Sequence, residues 1–176
     1  MPKFYITGIS GTGKSTVAKE LINRGIVAFD IDTVEGLCHW RNRNNARRAD
    51  YQPGIGKDWI EAHEWICDVE KLEKLLTEHG DTVVAVGIAS NQDKYLYLFD
   101  KIFLLHCSEE IFLQRLTMRE GDNEFAKDPS EQQQILTWYK DFEKHMLEQG
   151  AIPINTEAPL SEVVDKIFSE IRSYKN

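Results

Sequence analysis

The run Gly8-Ile9-Ser10-Gly11-Thr12-Gly13-Lys14-Ser15 satisfies every fixed position of the pattern G-x-x-x-x-G-K-[ST]. Glycines in such a loop let successive backbone N–H groups turn toward an anion. The helix that follows adds its unpaired first-turn donors and the positive end of its dipole. The chemistry is phosphate binding, with Gly11, Thr12, Gly13, Lys14, Ser15 and Thr16 as the expected contacts of a nucleoside triphosphate. Lys14 is expected to reach the β- and γ-phosphates and the Ser15 hydroxyl to ligate Mg²⁺. Apolar Phe4-Tyr5-Ile6 precedes the loop as a strand, and Thr16 to Ile22 follow it with helical spacing.

Asp30-Ile31-Asp32 places two carboxylates on one side of an extended chain. Asp30 is a candidate Mg²⁺ ligand, direct or through water, and Asp32 a candidate to orient or deprotonate an acceptor hydroxyl. The competing reading makes Asp32 the N-cap of a helix starting near Thr33. Arg115 and Arg119 lie four apart on one helix face, where guanidinium groups can stack on a base or bridge phosphate oxygens; a solvated pair at a helix C-terminus is the plainer alternative. The polar stretch from Glu120 to Pro129 that follows has the composition of a lid. Residues 39–48 hold His39, Trp40, Arg41, Arg43, Arg47 and Arg48, with Trp59 and Trp65 beyond. Capture of an anionic or aromatic substrate, with Arg41 and Arg48 as its cations, competes with a merely solvated basic face, and RNA contact is a weaker variant. Trp65, with Ile66, Val69 and Leu72, reads as core.

Positioning these groups requires strands that alternate with helices. Strands are expected over Lys3 to Thr7, Ile26 to Asp30, Thr82 to Val86, Lys101 to His106 and Ile152 to Asn155. Helices are expected over Lys14 to Asn23, Thr33 to about Arg43, Asp58 to Glu78, Ser108 to Arg119, Ser130 to Gln149 and Leu160 to Tyr174. The alternation predicts an α/β, doubly wound, five-stranded parallel sheet with helices on both faces. Ligands of such sheets gather at the carboxyl ends of the strands. That rule brings Gly87, Asn91 and the Asn155-Thr156 pair toward the phosphate loop. The least regular stretches, Asn44 to Lys57 and Glu120 to Pro129, are expected as mobile loops.

The 176 residues suit one domain, with a substrate-binding insertion at about 33–78 and a lid at about 119–130. Acidic residues number 29 against 21 basic ones, a net charge of −8 that argues against general nucleic-acid or anionic-membrane attraction. No apolar run approaches a membrane span, and no signal-peptide pattern precedes the first strand, so a soluble cytoplasmic protein is expected. Cys38, Cys67 and Cys107 are odd in number and far apart in sequence, suggesting reduced thiols rather than a disulfide framework. His63 and Cys67, four apart on the expected helix, read as core more readily than as metal ligands.

With these motifs the chain resembles the nucleoside-monophosphate-kinase-like branch of P-loop kinases, which includes adenylate, shikimate and gluconate kinases. The resemblance covers essentially the whole chain. It implies strand order 2-3-1-4-5, ATP on the phosphate loop and a lid closing over it. Asp30-Ile31-Asp32 resembles the Asp-x-Asp pair of shikimate kinases, which touches magnesium and acceptor. Arg115 resembles the arginine that packs on adenine, Arg119 a lid arginine that grips phosphate, and Asn155 to Leu160, with Thr156 and Pro159, the loop that shapes the adenine pocket. Two departures stand out: the helix from Ser130 to Gln149 has no arginine, leaving Lys127 or Lys140 to substitute, and Gly87-Ile88-Ala89-Ser90-Asn91 matches no acceptor motif of those relatives.

The function expected is ATP- and Mg²⁺-dependent phosphoryl transfer to a hydroxyl or phosphate of a small acceptor, nucleoside or nucleotide favoured. Lys14, Asp32 and Arg119 are the catalytic candidates. The alternative is a P-loop ATPase or nucleotide switch regulating an RNA or protein partner. The oligomeric state is left open.

Overall fold

The computed structural model describes residues 1–79, 82–118 and 125–174. In chain order the elements are β1 (Lys3–Thr7), α1 (Lys14–Asn23), β2 (Val27–Asp30), β3 (Cys38–Asn42), β4 (Arg48–Ala49), α2 (Lys57–Ala62), β5 (His63–Cys67), α3 (Val69–Glu78), β6 (Val83–Val86), β7 (Lys101–His106), α4 (Glu109–Thr117), α5 (Pro129–Glu148), β8 (Ile152–Asn155) and α6 (Leu160–Tyr174). Two short 3-10 turns, Gln92–Lys94 and Leu96–Leu98, lie between β6 and β7.

β1 has apolar residues on both faces and takes the centre of a parallel sheet of order β2-β6-β1-β7-β8. Counting only the strands of this sheet, the order is the expected 2-3-1-4-5. Phe4 and Ile6 point into a layer with Val17 and Leu21 of α1 and Val164, Ile167 and Ile171 of α6. Tyr5, between them, points the other way, toward Leu72 and Leu76 of α3 and Met146 of α5. A third cluster joins Ile9 of the phosphate loop to Phe112 and Leu116 of α4 and Ile135 and Tyr139 of α5. Burial on both faces explains why these strands read as continuous apolar runs.

Two expected helices are overturned. Thr33 to Arg43 is a turn followed by β3, and Asp58 to Glu78 is split into α2, β5 and α3. β3 and β5 form, with β4, a second, antiparallel sheet of order β4-β3-β5. Gly36, at φ +68, breaks the first segment in a conformation that residues with a Cβ avoid. His63 adopts extended dihedrals that stop α2. What then favours strand is pairing: Trp40 stands opposite Trp65 with ring centroids 5.6 Å apart. Cross-strand aromatic pairs of this kind stabilise sheets, and they override a helical period carried by few apolar residues.

Candidate active site

The phosphate loop joins β1 to α1. Gly11 sits at φ +89, and a Cβ there would stand 2.8 Å from the carbonyl oxygen of Phe112, so the loop closes against α4 only with glycine at this position. Thr12 is buried and donates its hydroxyl to the Ile9 carbonyl at 2.8 Å, a support for the loop's own turn. Gly13 is the N-cap of α1 and no side chain caps that helix, so its first-turn amides remain uncapped by side chains at the loop. The Lys14 ammonium lies across the loop, donating to the carbonyls of Gly8 at 2.7 Å and Ile9 at 3.0 Å. Ser15 and Thr16 are exposed at the start of the helix.

Asp30 ends β2 beside this loop. Its Oδ2 accepts from the Ser15 hydroxyl at 3.0 Å and its Oδ1 from the backbone N–H of Asp32 at 3.0 Å. A hydroxyl and a carboxylate in contact form an oxygen-only donor pair, which fits Mg²⁺, an ion that keeps several waters and takes phosphate oxygens to complete its shell. No cluster of three or more metal-binding side chains occurs among the described residues. Asp32 Oδ1 accepts from the indole N–H of Trp65 at 2.7 Å. Asp32 is accessible, but what it opens onto is a walled cleft, not bulk solvent. That crowding, reinforced by the charge of Asp30, raises its pKa to about 6, against the weaker pull of the Trp65 hydrogen bond and the Lys14 charge. No helix begins at Thr33, so the capping alternative for Asp32 has no helix to act on.

A cavity of about 700 Å³ runs from Ser10 and Asp32 toward an aromatic wall. Trp40 is the hub of that wall, with ring centroids 5.2 Å from Trp59, 5.6 Å from Trp65, 5.9 Å from Phe125 and 6.2 Å from Tyr51. Trp138 of α5 also lines it. Trp65 therefore does more than the core role expected of it: it packs on the core, lines the cavity and holds Asp32. Glu131 of α5 holds the wall together from behind. Fully buried, it accepts from the Tyr51 hydroxyl at 2.9 Å, from the Ala126 N–H at 2.9 Å and, more weakly, from the Gly56 N–H at 3.5 Å. Nothing in the local sequence distinguishes Glu131 from its neighbours; the pull of Trp65 on Asp32 likewise joins residues 33 positions apart.

The remaining sequence candidates divide. Arg41 is directly opposite Glu64, to which its Nε donates at 2.7 Å, and Arg48 is opposite Arg41. Strand alternation puts all three on the face opposite Trp40 and Trp65, so the structure does not bring Arg41 and Arg48 to the cavity. Arg43, beyond the strand, lines it instead, with its Nε donating to the Glu61 carbonyl at 3.1 Å. Asn91 does not line the cavity as its neighbours Ser90 and Gln92 do: its amide accepts from the Cys67 N–H at 2.9 Å and donates to the Cys67 carbonyl at 2.8 Å. Gly87 leaves β6 where a Cβ would meet Ile31 Cγ1 at 2.3 Å, so it lets the Asp30-Ile31-Asp32 turn pack against the sheet. On the other side of the loop, Arg115 donates to the Thr156 hydroxyl at 3.0 Å and carbonyl at 2.7 Å, and Pro159 accepts the first amides of α6. Arg119 and the first half of the expected lid lie outside the described residues.

A family model described as an AAA domain matches residues 5–136. Among solved structures, a deoxyadenosine kinase from M. mycoides with bound dATP aligns at TM-score 0.60 with 17% identity, covering 97% of this chain and 99% of that one. A gluconokinase from Sinorhizobium meliloti 1021 aligns at TM-score 0.59 with 19% identity, covering 98% and 93%. A shikimate kinase from Acinetobacter baumannii, in complex with shikimate, aligns at TM-score 0.59 with 20% identity, covering 99% and 95%. A comparison with curated protein sequences found no match. The match over most of its length and the strand order together show that this chain belongs to the AAA-domain family of P-loop proteins, with the fold of the nucleoside-monophosphate-kinase-like P-loop kinases.

Proposed function

We propose that the protein is an ATP- and Mg²⁺-dependent kinase that transfers a γ-phosphoryl group to a hydroxyl of a small acceptor carrying a flat aromatic ring, a nucleoside in preference to a sugar or hydroxy acid. The observation that carries this reading is the single cavity that runs from Ser10 and Asp32 to the wall of Trp40, Tyr51, Trp65 and Phe125. Aromatic faces of that kind reward stacking of a flat ring, and the polar groups that share the cavity, Asp32, Ser90 and Gln92 among them, can pair with the hydroxyls of an attached sugar. Arg41 and Arg48 face away, and the cation that lines the cavity, Arg43, is engaged by the Glu61 carbonyl and the Glu64 carboxylate, which favours a neutral nucleoside over a nucleotide acceptor.

In this reading the uncapped start of α1 and the backbone from Gly11 to Thr16 bind the triphosphate, and Lys14 swings from the loop carbonyls to the transferring group. Ser15 and Asp30 are the residues that would hold Mg²⁺, which when bound neutralises charge developing between the β- and γ-phosphates. Asp32, held by the Trp65 indole, orients the acceptor hydroxyl and takes its proton. Arg115 with Thr156 and Pro159 flanks the base of ATP, and Gly87 and Asn91 support the floor of the acceptor cavity from beneath. Segment 33–78 acts as the acceptor-binding insertion of a single domain.

The test is ADP release with ATP and Mg²⁺ against nucleosides, nucleotides, sugars and hydroxy acids. Strong stimulation by one or more nucleosides is the expected result. A flat panel with slow background hydrolysis would overturn the proposal and favour the partner-regulated ATPase.

A further inference from the structure

Cys38 and Cys67, 29 residues apart in sequence, stand directly opposite each other in the antiparallel pair β3 and β5. Both backbone groups of Cys67 are engaged by the Asn91 amide and so turn away from β3, while the next residue, Asp68, donates its N–H to the Leu37 carbonyl at 2.9 Å. The two cysteines therefore occupy a non-hydrogen-bonded pair, where opposed Cα atoms approach to about 4.5 Å and side chains share a face. Disulfides join Cα atoms about 4.4–6.8 Å apart, so bridging this pair requires no rearrangement of the strands. The neighbouring Cys67 thiol, together with burial, raises the Cys38 pKa. Cys67 is buried, and Cys38, partly exposed, is the side from which a small oxidant reaches them.

We infer that Cys38 and Cys67 form a redox modification site, a dithiol that hydrogen peroxide converts into an intramolecular disulfide beneath the acceptor cavity. The Cys38 sulfur attacks one peroxide oxygen, the O–O bond breaks, and a sulfenic acid and one water result. The Cys67 sulfur then attacks the Cys38 sulfur; the S–S bond forms, the S–O bond breaks, and the hydroxyl leaves with the Cys67 proton as a second water. Two thiols are oxidised by two electrons in all, and one peroxide is reduced to two waters.

The neighbouring pair on the same face is Trp40 with Trp65, the hub of the aromatic wall and the donor to Asp32. A covalent tie between β3 and β5 at the neighbouring same-face pair restricts the adjustment of that wall to an incoming ring. This coupling to transfer rests on the kinase reading, whereas formation of the disulfide does not.

Whole protein is treated with hydrogen peroxide, denatured, alkylated and mapped by mass spectrometry, with and without later reduction. The expected result is a linked Cys38–Cys67 peptide, Cys107 left alkylated or separately oxidised, and recovery of both thiols with dithiothreitol. Cys38→Ser and Cys67→Ser each abolish the link, and Cys107→Ser retains it. Alkylation of both Cys38 and Cys67 at peroxide levels that oxidise Cys107, or their conversion to unlinked sulfinic acids, would overturn the inference. In ADP-release assays, oxidised wild-type protein is expected to show an acceptor KM raised several-fold and restored by reduction, with no such change in Cys38→Ser. A linked peptide with unaltered KM would uphold the site and refute its coupling to transfer.

Discussion

Asp32 is the residue on which the proposed chemistry turns, and its environment makes that role testable. As a base it must be ionised, so kcat/KM should rise with pH through about 6 and level off above it. Trp65→Phe removes a donor that favours the ionised form and should move this limb to higher pH while leaving a ring in the wall. Asp32→Asn should lose transfer by roughly 10²-fold or more with ATP affinity near normal. Stability separates this role from a structural one. A carboxyl whose folded pKa is raised holds its proton in the folded chain over a range where the unfolded chain has released it, so its contribution to stability declines as pH rises from about 4 toward 6. At pH 7, ligand-free Asp32→Asn should then melt no lower than wild type, and a clearly lower melting temperature would mark Asp32 as structural.

At the scale of elements, the aromatic wall is assembled from β3, β5, the loop carrying Tyr51, and Phe125, braced by α5. Glu131 is the brace, and Glu131→Gln replaces one acceptor oxygen with a donor facing other donors. A buried mismatch of this sort costs about 1–3 kcal/mol. The expected outcome is a lower melting temperature and a raised acceptor KM, with the KM for ATP unchanged; equal effects on both substrates would make Glu131 a general stability residue. Trp40→Ala, which removes the hub ring, should raise acceptor KM by tenfold or more, and an unaltered KM would detach the wall from the acceptor. Most of the main sheet was legible in the sequence, because its inner strands β1 and β6 are buried on both faces and are written as apolar runs. The second sheet was not. Cys38, Trp40 and Asn42 lie on one face of a strand only because Cys67, Trp65 and His63 stand opposite, and within either segment alone the same residues also fit a helical period.

For the molecule as a whole, nucleotide binding should be visible before any acceptor is known. Saturation of ATP with Mg²⁺ at 100 times Kd adds about 2.7 kcal/mol to the folded state. For a chain of this size that amounts to a melting shift of roughly 5–11 °C. Lys14→Ala should abolish most of the shift, and a wild-type protein that shows none would remove ATP as its ligand. Among the described residues no helix is long and apolar enough to cross a membrane.

The sequence by itself determined the strand–loop–helix unit that carries the G-x-x-x-x-G-K-S motif, because the constraint is local: a strand end, a glycine-bearing turn and a helix start within Lys3–Asn23. It also determined the parallel sheet and the position of Asp30 and Asp32 at a strand end beside that loop. Tertiary structure alone decided what surrounds Asp32. The Trp65 indole on Asp32, the brace of Glu131 across to Tyr51, the opposition of Cys38 and Cys67, and the turning of Arg41 and Arg48 to the far face each depend on contacts made after the chain has closed long loops. Such contacts are set by the pairing register of strands, and a shift of one residue in register would exchange the two faces of the sheet.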